Sequence, residues 1–387
     1  MNSRTYDAIV AGAGIIGLSV AYYLKKKGCD RVLVLEKEES WITGSTPRAN
    51  GGFRQQFSTP VNIQMSRISI PILAGFEEEF GTDIAFAQHG YLFLTGTDRG
   101  VEGLATNREL QRSHGIDVDW LEPAAVKQLA PYVRCDDLKG GNFCAQDGSA
   151  DAYSIAQGFG DAARRLGTEI RLEEPVIAVL QGEQGGIQGV RTPGGTYQAP
   201  VLVNAAGPFA RSLCSLVGVD LPVQPVRRML VMTEPFDRIP DEIPMVVDLD
   251  SGFLMRKESG RVLMGWSDPD EPPGFNLAFD PAIIDIVAEK AMRRVPVLEE
   301  ARINTRKSWA GLYAETPDHH CVLGEVPKVP GLFLANGFSG HGMMHSPAIG
   351  MLLSDLALEG HTELLDVHPL RFSRFEEGDL IHEAVVL

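Results

Sequence analysis

The sequence contains few cysteines and no long uninterrupted apolar run. Its five cysteines, in a chain of 387 residues, are odd in number and form no Cys-x-x-Cys pair. Disulfide frameworks are typical of short secreted chains, so we expect a reducing compartment, namely the cytoplasm. The apolar stretch at residues 8–24 is broken by three glycines and followed by basic residues. This pattern argues against a signal peptide and against a membrane span.

Positive charge is also scarce, because 35 lysines and arginines stand against 51 aspartates and glutamates, which gives a formal net charge of −16. Nucleic acids and anionic membranes bind basic surfaces, so we expect neither as a partner. The hydrophobic fraction of 44% and the charged fraction of 22% are ordinary globular values. The length predicts two domains, or one elaborated domain with a large core.

A strand, a helix and a second strand are predicted at the start of the chain. The apolar run Tyr6–Ala11 is typical of a buried parallel strand. Helical spacing from Ile15 to Lys27 ends in basic residues and Gly28, and residues 31–35 form another apolar run before Glu36. These segments together predict a βαβ unit.

A Gly-x-Gly-x-x-Gly motif joins the first strand of this unit to its helix. Gly12 permits a tight turn, Gly14 lets the backbone approach a pyrophosphate, and Gly17 lets helix and strand pack closely. The helix N-terminus offers N–H groups to the phosphates, and Glu36 can accept hydrogen bonds from ribose hydroxyls. The motif serves FAD and NAD alike. The expected cofactor-binding residues of this unit are Gly12, Gly14, Ile15, Ile16, Gly17, Glu36 and Lys37.

The later segments indicate an α/β core interrupted by a mainly β insertion. Further buried strands are predicted at residues 201–205 and 332–335, and residues 222–310 are rich in proline and β-branched residues. A glycine-rich loop precedes a helix that we expect to begin at Pro347, with Ser346 as its N-cap. A loop at a helix N-terminus favours negative charge, which reduced flavin carries at its N1–C2=O edge. This favours FAD over NAD.

Three further segments identify a family. They are Gly44-Ser-Thr-Pro-Arg48, Asn204-Ala-Ala-Gly207 and Gly337-Phe-Ser-Gly-His-Gly342, and they follow the βαβ unit in a familiar order and spacing. With them the whole chain resembles the D-amino-acid-oxidase superfamily of flavoproteins. It is most similar to the branch of sarcosine oxidase β subunits and archaeal L-proline dehydrogenase β subunits.

The resemblance implies an α/β fold with a glutathione-reductase-like, FAD-binding Rossmann domain and a second, mixed-sheet substrate domain. The FAD domain would comprise residues 1–80, 148–222 and 315–387, and the substrate domain residues 81–147 and 223–314.

The resemblance also implies that FAD is bound non-covalently. Some relatives attach the flavin through a histidine at the position of Arg48, and monomeric sarcosine oxidases attach it through a cysteine at the position of Gly311. Neither residue of this chain can form such a bond. The further cofactor-binding residues that the resemblance implies are Gly44, Ser45, Thr46, Arg48, Ala49, Gly51, Gly52, Val176, Ala205, Ala206, Gly207, Gly311, Gly337, Gly340, His341, Gly342, Met343 and Met344.

The implied reaction is oxidation of a small amine or amino acid, similar to sarcosine or proline. A hydride passes from the carbon beside nitrogen to flavin N5, and water hydrolyses the imine product. Arg54 matches a family arginine that binds the substrate carboxylate, and Tyr313 matches a residue placed against the substrate. Arg256 lies in the predicted cavity roof, and His341 completes the candidate catalytic residues. His341 and His345 lack the intervening glutamate of a zinc motif, so we expect no metal.

The electron acceptor and two alternative functions remain open. Monomeric sarcosine oxidases carry lysines near the flavin that promote reaction with oxygen. Here the corresponding strand reads Val262-Leu-Met-Gly-Trp, and Met344 or a neighbour replaces the second lysine. We therefore favour a dehydrogenase over an oxidase, and the acceptor stays open between oxygen and a partner subunit of a hetero-oligomer. The alternatives are a non-catalytic flavoprotein for assembly or interaction, and a hydroxy-acid or glycerol-phosphate oxidoreductase. His319 and His320 are expected in a surface loop.

Overall fold

The computed structural model describes residues 4–383, and the ends of the predicted FAD domain at residues 1–3 and 384–387 lie outside them. The strands of the described chain are β1 (Arg4–Thr5), β2 (Ala8–Ala11), β3 (Val32–Leu35), β4 (Gly52–Phe53), β5 (Tyr91–Thr95), β6 (Asp119–Leu121), β7 (Gly140–Cys144), β8 (Gly148–Ser149), β9 (Glu169–Arg171), β10 (Ala178–Gln181), β11 (Ile187–Thr192), β12 (Gly195–Gln198), β13 (Val201–Asn204), β14 (Gln224–Met232), β15 (Met245–Asp248), β16 (Phe253–Glu258), β17 (Arg261–Trp266), β18 (Trp309–Glu315), β19 (Val322–Glu325) and β20 (Leu332–Asn336).

The α-helices are α1 (Ile15–Lys26), α2 (Pro60–Ala74), α3 (Phe76–Phe80), α4 (Asp98–Ser113), α5 (Pro123–Leu129), α6 (Ala152–Arg165), α7 (Ala210–Ser215), α8 (Ile283–Arg294), α9 (Gly342–Glu359) and α10 (Arg374–Glu377). Short 3-10 helices occur at Thr46–Arg48, Gly207–Phe209, Pro296–Glu300 and His368–Leu370. Among the described residues, no helix is both long and apolar enough to cross a membrane.

A six-stranded sheet has the order β19-β20-β13-β2-β3-β9. All neighbouring strands in it are parallel except β19, which runs antiparallel to β20. The residues of β2 and β3 are all buried, as expected for a sheet covered on both faces. The predicted βαβ unit and the last strand therefore lie in the same sheet.

Helix α1 packs against α6 and α9 on one face of this sheet. The approach of α1 to α9 is close, because a Cβ at Gly350 would lie 2.2 Å from Ser19 Oγ. The same hydroxyl donates to the backbone oxygen of Ser346 at 2.7 Å. A four-stranded sheet of order β1-β12-β11-β10 contributes residues of β11 and β12 to the core on the opposite face.

Strands from residues 91–144 and 224–315 form an eight-stranded mixed sheet of order β18-β14-β17-β16-β15-β5-β7-β6. Only β15 and β5 are parallel to each other; the other neighbours are antiparallel. Strands β4 and β8 pair separately. The predicted α/β class with a second mixed sheet is confirmed, whereas the exact domain boundaries stay a prediction.

The start of α9 corrects the sequence interpretation. The helix begins at Gly342, so Pro347 lies inside it and Ser346 is not its N-cap. Proline has no N–H to donate to the carbonyl four residues earlier. That carbonyl, of Met343, instead accepts from Ser346 Oγ at 2.9 Å, which lets the helix continue through the proline. The helix ends before Gly360, which is its left-handed C-cap.

The prediction of a surface loop at His319 and His320 is wrong for His320. That residue is buried, and its Nδ1 lies 2.7 Å from the backbone oxygen of Asp318. Its Nε2 lies 3.0 Å from Thr59 Oγ1. Contacts between distant parts of the chain bury this residue, and no local pattern indicates them.

Candidate active site

The glycine motif forms a turn in which side chains do not fit. Gly12 has a φ of +110°, and a Cβ there would lie 2.5 Å from the backbone oxygen of Ala205. A Cβ at Gly17 would lie 1.9 Å from the oxygen of Gly12. The first N–H groups of α1 point out of such a turn, since a helix has no internal acceptors for them. These features fit a pyrophosphate at the N-terminus of α1.

Glu36 lies directly after β3, close to this turn. Its Oε2 accepts from the N–H of Ala13 at 2.8 Å and its Oε1 from that of Glu38 at 3.1 Å. Val176 packs against the same core as β3, and Lys37 Nζ lies 4.3 Å from the centroid of the Phe209 ring. These residues gather around the carboxyl end of β3, where the ribose of an ADP group would lie.

Residues 44–49 connect this turn to the second sheet. Thr46 Oγ1 accepts from the N–H of Ile15 at 3.1 Å, so the segment lies against the start of α1. Ser45 Oγ donates to the oxygen of Leu312 in β18 at 2.6 Å. Arg48 is opposite Gly311, where a Cβ would lie 3.0 Å from the Cβ of Arg48. The two positions at which relatives attach the flavin are thus adjacent in space.

Arg256 and Tyr91 of the second sheet contact the segment of residues 50–52. Arg256 Nε donates to the oxygen of Asn50 at 2.6 Å, and its Nη2 lies 2.6 Å from Glu258 Oε2. A Cβ at Gly51 would lie 3.1 Å from Arg256 Nη2, and one at Gly52 would lie 1.8 Å from the Tyr91 hydroxyl. Arg256 is therefore engaged by an acid and a carbonyl of the chain itself.

The loop of residues 337–342 lies against Tyr313. Gly340 has a φ of +92°, and a Cβ there would lie 2.6 Å from a carbon of the Tyr313 ring. The guanidinium carbon of Arg228, in the neighbouring strand β14, lies 5.7 Å from the centroid of that ring. Arg228 also pairs with Glu315 at 2.7 Å. Burial raises the pKa of Tyr313, so its hydroxyl keeps its proton at neutral pH.

Arg54 is a deeply buried charged group of the site, with 1% of its surface exposed. Its guanidinium carbon lies 4.0 Å from the centroid of the Phe57 ring, and its Nη1 donates to the oxygen of Gln56. Its Nη2 lies 3.4 Å from Nε2 of His341. Burial lowers the pKa of this guanidinium, but arginine keeps its charge in proteins.

Both histidines near Arg54 are neutral at physiological pH. Burial, followed by the positive charge of Arg54, lowers the pKa of His341 well below its usual range and that of His345 to about 3. Ser66 Oγ donates to the oxygen of Arg54 at 2.7 Å and lies 3.0 Å from His345 Nε2. His345 must therefore donate from Nε2 to this hydroxyl. The resulting chain of hydrogen bonds fixes the Arg54 backbone.

Two residues beside Arg54 were not among the candidates from the sequence. Asp147 is fully buried, and its oxygens accept from Gln55 N at 2.7 Å and from Gln56 Nε2 at 3.0 Å. Burial raises the pKa of Asp147 to about 6. Gln56 Oε1 is buried and has no hydrogen-bond partner within residues 4–383. The sequence signals for Gln56 and Asp147 were the Arg-Gln-Gln run and the Asp-Gly pair. No local periodicity relates these two segments to each other.

The described end of the chain also reaches this region. Glu383 Oε1 accepts from the N–H and hydroxyl of Ser58, and its Oε2 accepts from Thr59 Oγ1 at 3.0 Å and from Asn62 Nδ2 at 3.3 Å. The carboxylate lies 3.9 Å from His320 Nε2. Glu383 thereby contacts the N-terminus of α2, a few residues after Arg54.

The structure places most of the predicted site residues in one continuous region, from the glycine turn before α1 to Arg54. A family model described as "FAD dependent oxidoreductase" matches residues 7–356. The chain belongs to this family. It is 30% identical over 417 residues to FAD-dependent oxidoreductase domain-containing protein 1 of Xenopus laevis, covering 95% of this chain and 82% of that protein.

Two further relatives of this flavoenzyme have named substrates. It is 29% identical over 391 residues to mitochondrial dimethylglycine dehydrogenase of Rattus norvegicus, covering 95% of this chain and 45% of that protein. The crystal structure of L-proline dehydrogenase from P. horikoshii superposes with a TM-score of 0.92 at 28% identity, covering 98% of this chain and all of the other. The chain is thus an FAD-dependent oxidoreductase related to amino acid dehydrogenases and oxidases.

Proposed function

We propose that this flavoenzyme oxidises a small secondary amino acid, such as sarcosine or proline, at the carbon beside its nitrogen. The observation that carries the proposal is Arg54, a buried guanidinium between Phe57 and His341. A guanidinium can hold a carboxylate by two parallel hydrogen bonds, and burial strengthens the attraction between opposite charges. Bound FAD would supply the hydride acceptor at its N5 atom.

The groups around Arg54 also suit an amine. The amine must react with its lone pair free, and the site keeps His341 and His345 neutral. Gln56 Oε1 is a buried acceptor without a partner within the described chain, and a substrate N–H group would satisfy it. Neither the neutral histidines nor Gln56 has to remove a proton as a strong base. This is consistent with direct hydride transfer. The product would be an imine, which water hydrolyses.

The roles of the remaining candidates follow from their positions. Tyr313, protonated and packed on Gly340, would donate its hydroxyl to the substrate carboxylate. The N-terminus of α9, with His341 as its N-cap, would stabilise negative charge on the reduced cofactor. Arg256 would hold the roof over the cofactor, because its guanidinium is engaged by Asn50 and Glu258.

We further propose that electrons pass to an acceptor other than oxygen, for example a partner subunit of a hetero-oligomer. A positive charge near the flavin would favour superoxide formation. The lysine of the β16–β17 hairpin, Lys257, donates to the oxygens of Phe236 at 2.7 Å and Ile239 at 3.0 Å, and pairs with Asp241. All three partners lie within the insertion, so they hold the ammonium group of Lys257 there. Dye-linked turnover well above oxygen consumption would support this proposal, and the reverse ratio would overturn it.

A cytoplasmic location remains our prediction, although the dimethylglycine dehydrogenase relative is named as mitochondrial.

Two other functions compete with the proposal, namely oxidation of hydroxy acids or glycerol phosphate, and a non-catalytic role in assembly. The experiment is an anaerobic titration of the purified, yellow protein with sarcosine, L-proline, L-lactate and glycerol 3-phosphate. We expect the amino acids to bleach the flavin absorbance. Bleaching by hydroxylated compounds alone, or by none of the four, would contradict it.

A further inference from the structure

Asp147 lies in the turn between β7 and β8, with none of its surface exposed. Its backbone is fixed on both sides, since its N–H donates to the oxygen of Cys144 at 3.3 Å and its oxygen accepts from Gly90 N at 2.9 Å. Its carboxylate accepts from Gln55 N and Gln56 Nε2. A buried carboxylate with an immobile backbone is a rigid acceptor for the two residues that follow Arg54.

Gln56 carries this constraint to Arg54. Its side-chain amide donates to both Asp147 Oδ2 and the oxygen of Tyr91, the latter at 3.2 Å. Its backbone oxygen accepts from Arg54 Nη1. The direction of the guanidinium therefore depends on the position of Gln56, which Asp147 determines. The negative charge of Asp147 also opposes the cost of burying the Arg54 charge.

We propose that Asp147 is a positioning residue, which acts through Gln55 and Gln56 to aim Arg54 at the substrate carboxylate. This inference rests on the proposed function, because it requires Arg54 to bind that carboxylate. A charge-assisted hydrogen bond weakens steeply when its alignment is lost, so a small shift of Gln56 is sufficient to weaken binding of the carboxylate.

Another buried carboxylate provides a matched control. Asp248 in β15 is 2% exposed and pairs with Arg294 at 3.1 Å, within the same sheet as Tyr91. Asp248→Asn removes a buried charge of the second sheet without touching the Arg54 segment. It separates a loss of stability from a loss of substrate binding.

The test is calorimetric binding of tetrahydrofuran-2-carboxylate, in which oxygen replaces the ring nitrogen of proline, to the FAD-loaded protein. We expect Asp147→Asn to raise the Kd at least roughly tenfold. The limiting rate of flavin reduction at saturating L-proline should stay within about twofold. Asp248→Asn should lower the melting temperature and leave the Kd unchanged. Gln56→Leu should raise the Kd as Asp147→Asn does, which provides a second variant if the first does not fold.

A double-mutant cycle identifies the route of the effect. In an Arg54→Ala background, Asp147→Asn should have no further effect on the Kd, because nothing remains to be positioned. An equal effect in both backgrounds, or wild-type binding by both Asp147→Asn and Gln56→Leu, would overturn the inference alone. If Arg54→Ala binds the carboxylate like the wild type, the proposed role of Arg54 fails and the inference fails with it.

Discussion

Nη2 of Arg54 lies 3.4 Å from Nε2 of His341, so two nitrogen groups that can each carry positive charge share one buried site. Only one of them can be charged, and arginine holds its proton far more strongly. His341 is therefore neutral, with its proton on Nδ1, and its Nε2 faces the guanidinium as an acceptor. The Arg54–His341 pair thus carries one positive charge, on the guanidinium.

Release of the cofactor tests the non-covalent attachment. Arg48 and Gly311 stand where relatives carry histidine or cysteine attachment points, and neither can bond to the flavin. We expect acid precipitation of the purified protein to leave the yellow colour in the supernatant. Absorbance of the two fractions measures this, and colour that stays in the pellet would contradict it.

Gly340→Ala should impair turnover because a methyl group there would meet the Tyr313 ring at 2.6 Å in a backbone with φ of +92°. Gly378→Ala is the matched control, since that residue has φ of +71° and nothing within 4 Å of its added Cβ. Each variant should lose about 1–2 kcal/mol from backbone strain. Only Gly340→Ala should also lower kcat/KM for the amino acid. Equal kinetics in the two variants would show that Tyr313 is not needed in its place.

The titration of Asp147 predicts how stability depends on pH. Its pKa is raised by burial to about 6, from an ordinary value of 3.8. Between these values the folded state binds more protons than the unfolded state, so its contribution to stability is lost as pH rises towards 6. We expect the unfolding free energy of Asp147→Asn to fall less steeply than that of the wild type over this range. Parallel curves from denaturant titrations at pH 4 to 7 would show that this pKa is not raised.

Glu383→Gln should loosen the contact between residues 379–383 and the start of α2. The carboxylate accepts from Ser58, Thr59 and Asn62, and an amide can replace only part of this set. Hydrogen exchange of peptides that contain these residues should become faster. Exposed Glu363→Gln serves as the control, and unchanged exchange in the Glu383 variant would mean that the carboxylate does not hold this segment.

The local patterns predicted the parts of the fold that local forces determine. The strand at residues 8–11, helix α1 and Glu36 follow from periodicity and from glycine at positions where a Cβ would clash. The start of α9 was predicted wrongly because Ser346 satisfies the carbonyl that Pro347 leaves without a donor, and this compensation cannot be seen in a propensity.

The site was predictable only in part, because its buried polar contacts join distant parts of the chain. Arg54 was found through a family motif, but Asp147 lies 93 positions later in the chain, where only the folded structure brings it near. His320 was expected at the surface and is buried between Asp318 and Thr59. Buried polar networks depend on tertiary pairing, so their members have no local signal.

The most direct measurement compares wild type and Arg54→Ala on sarcosine and on its carboxamide, which lacks the carboxylate. Anaerobic rapid mixing at sub-saturating substrate gives the second-order rate of flavin reduction. Removal of a charge-assisted contact should cost about 2–4 kcal/mol, or roughly 30- to 1,000-fold in this rate, on sarcosine alone. Arg54→Ala should therefore lose this factor and its preference for the acid over the amide. If it reduces as fast as the wild type and keeps that preference, Arg54 does not bind the substrate carboxylate.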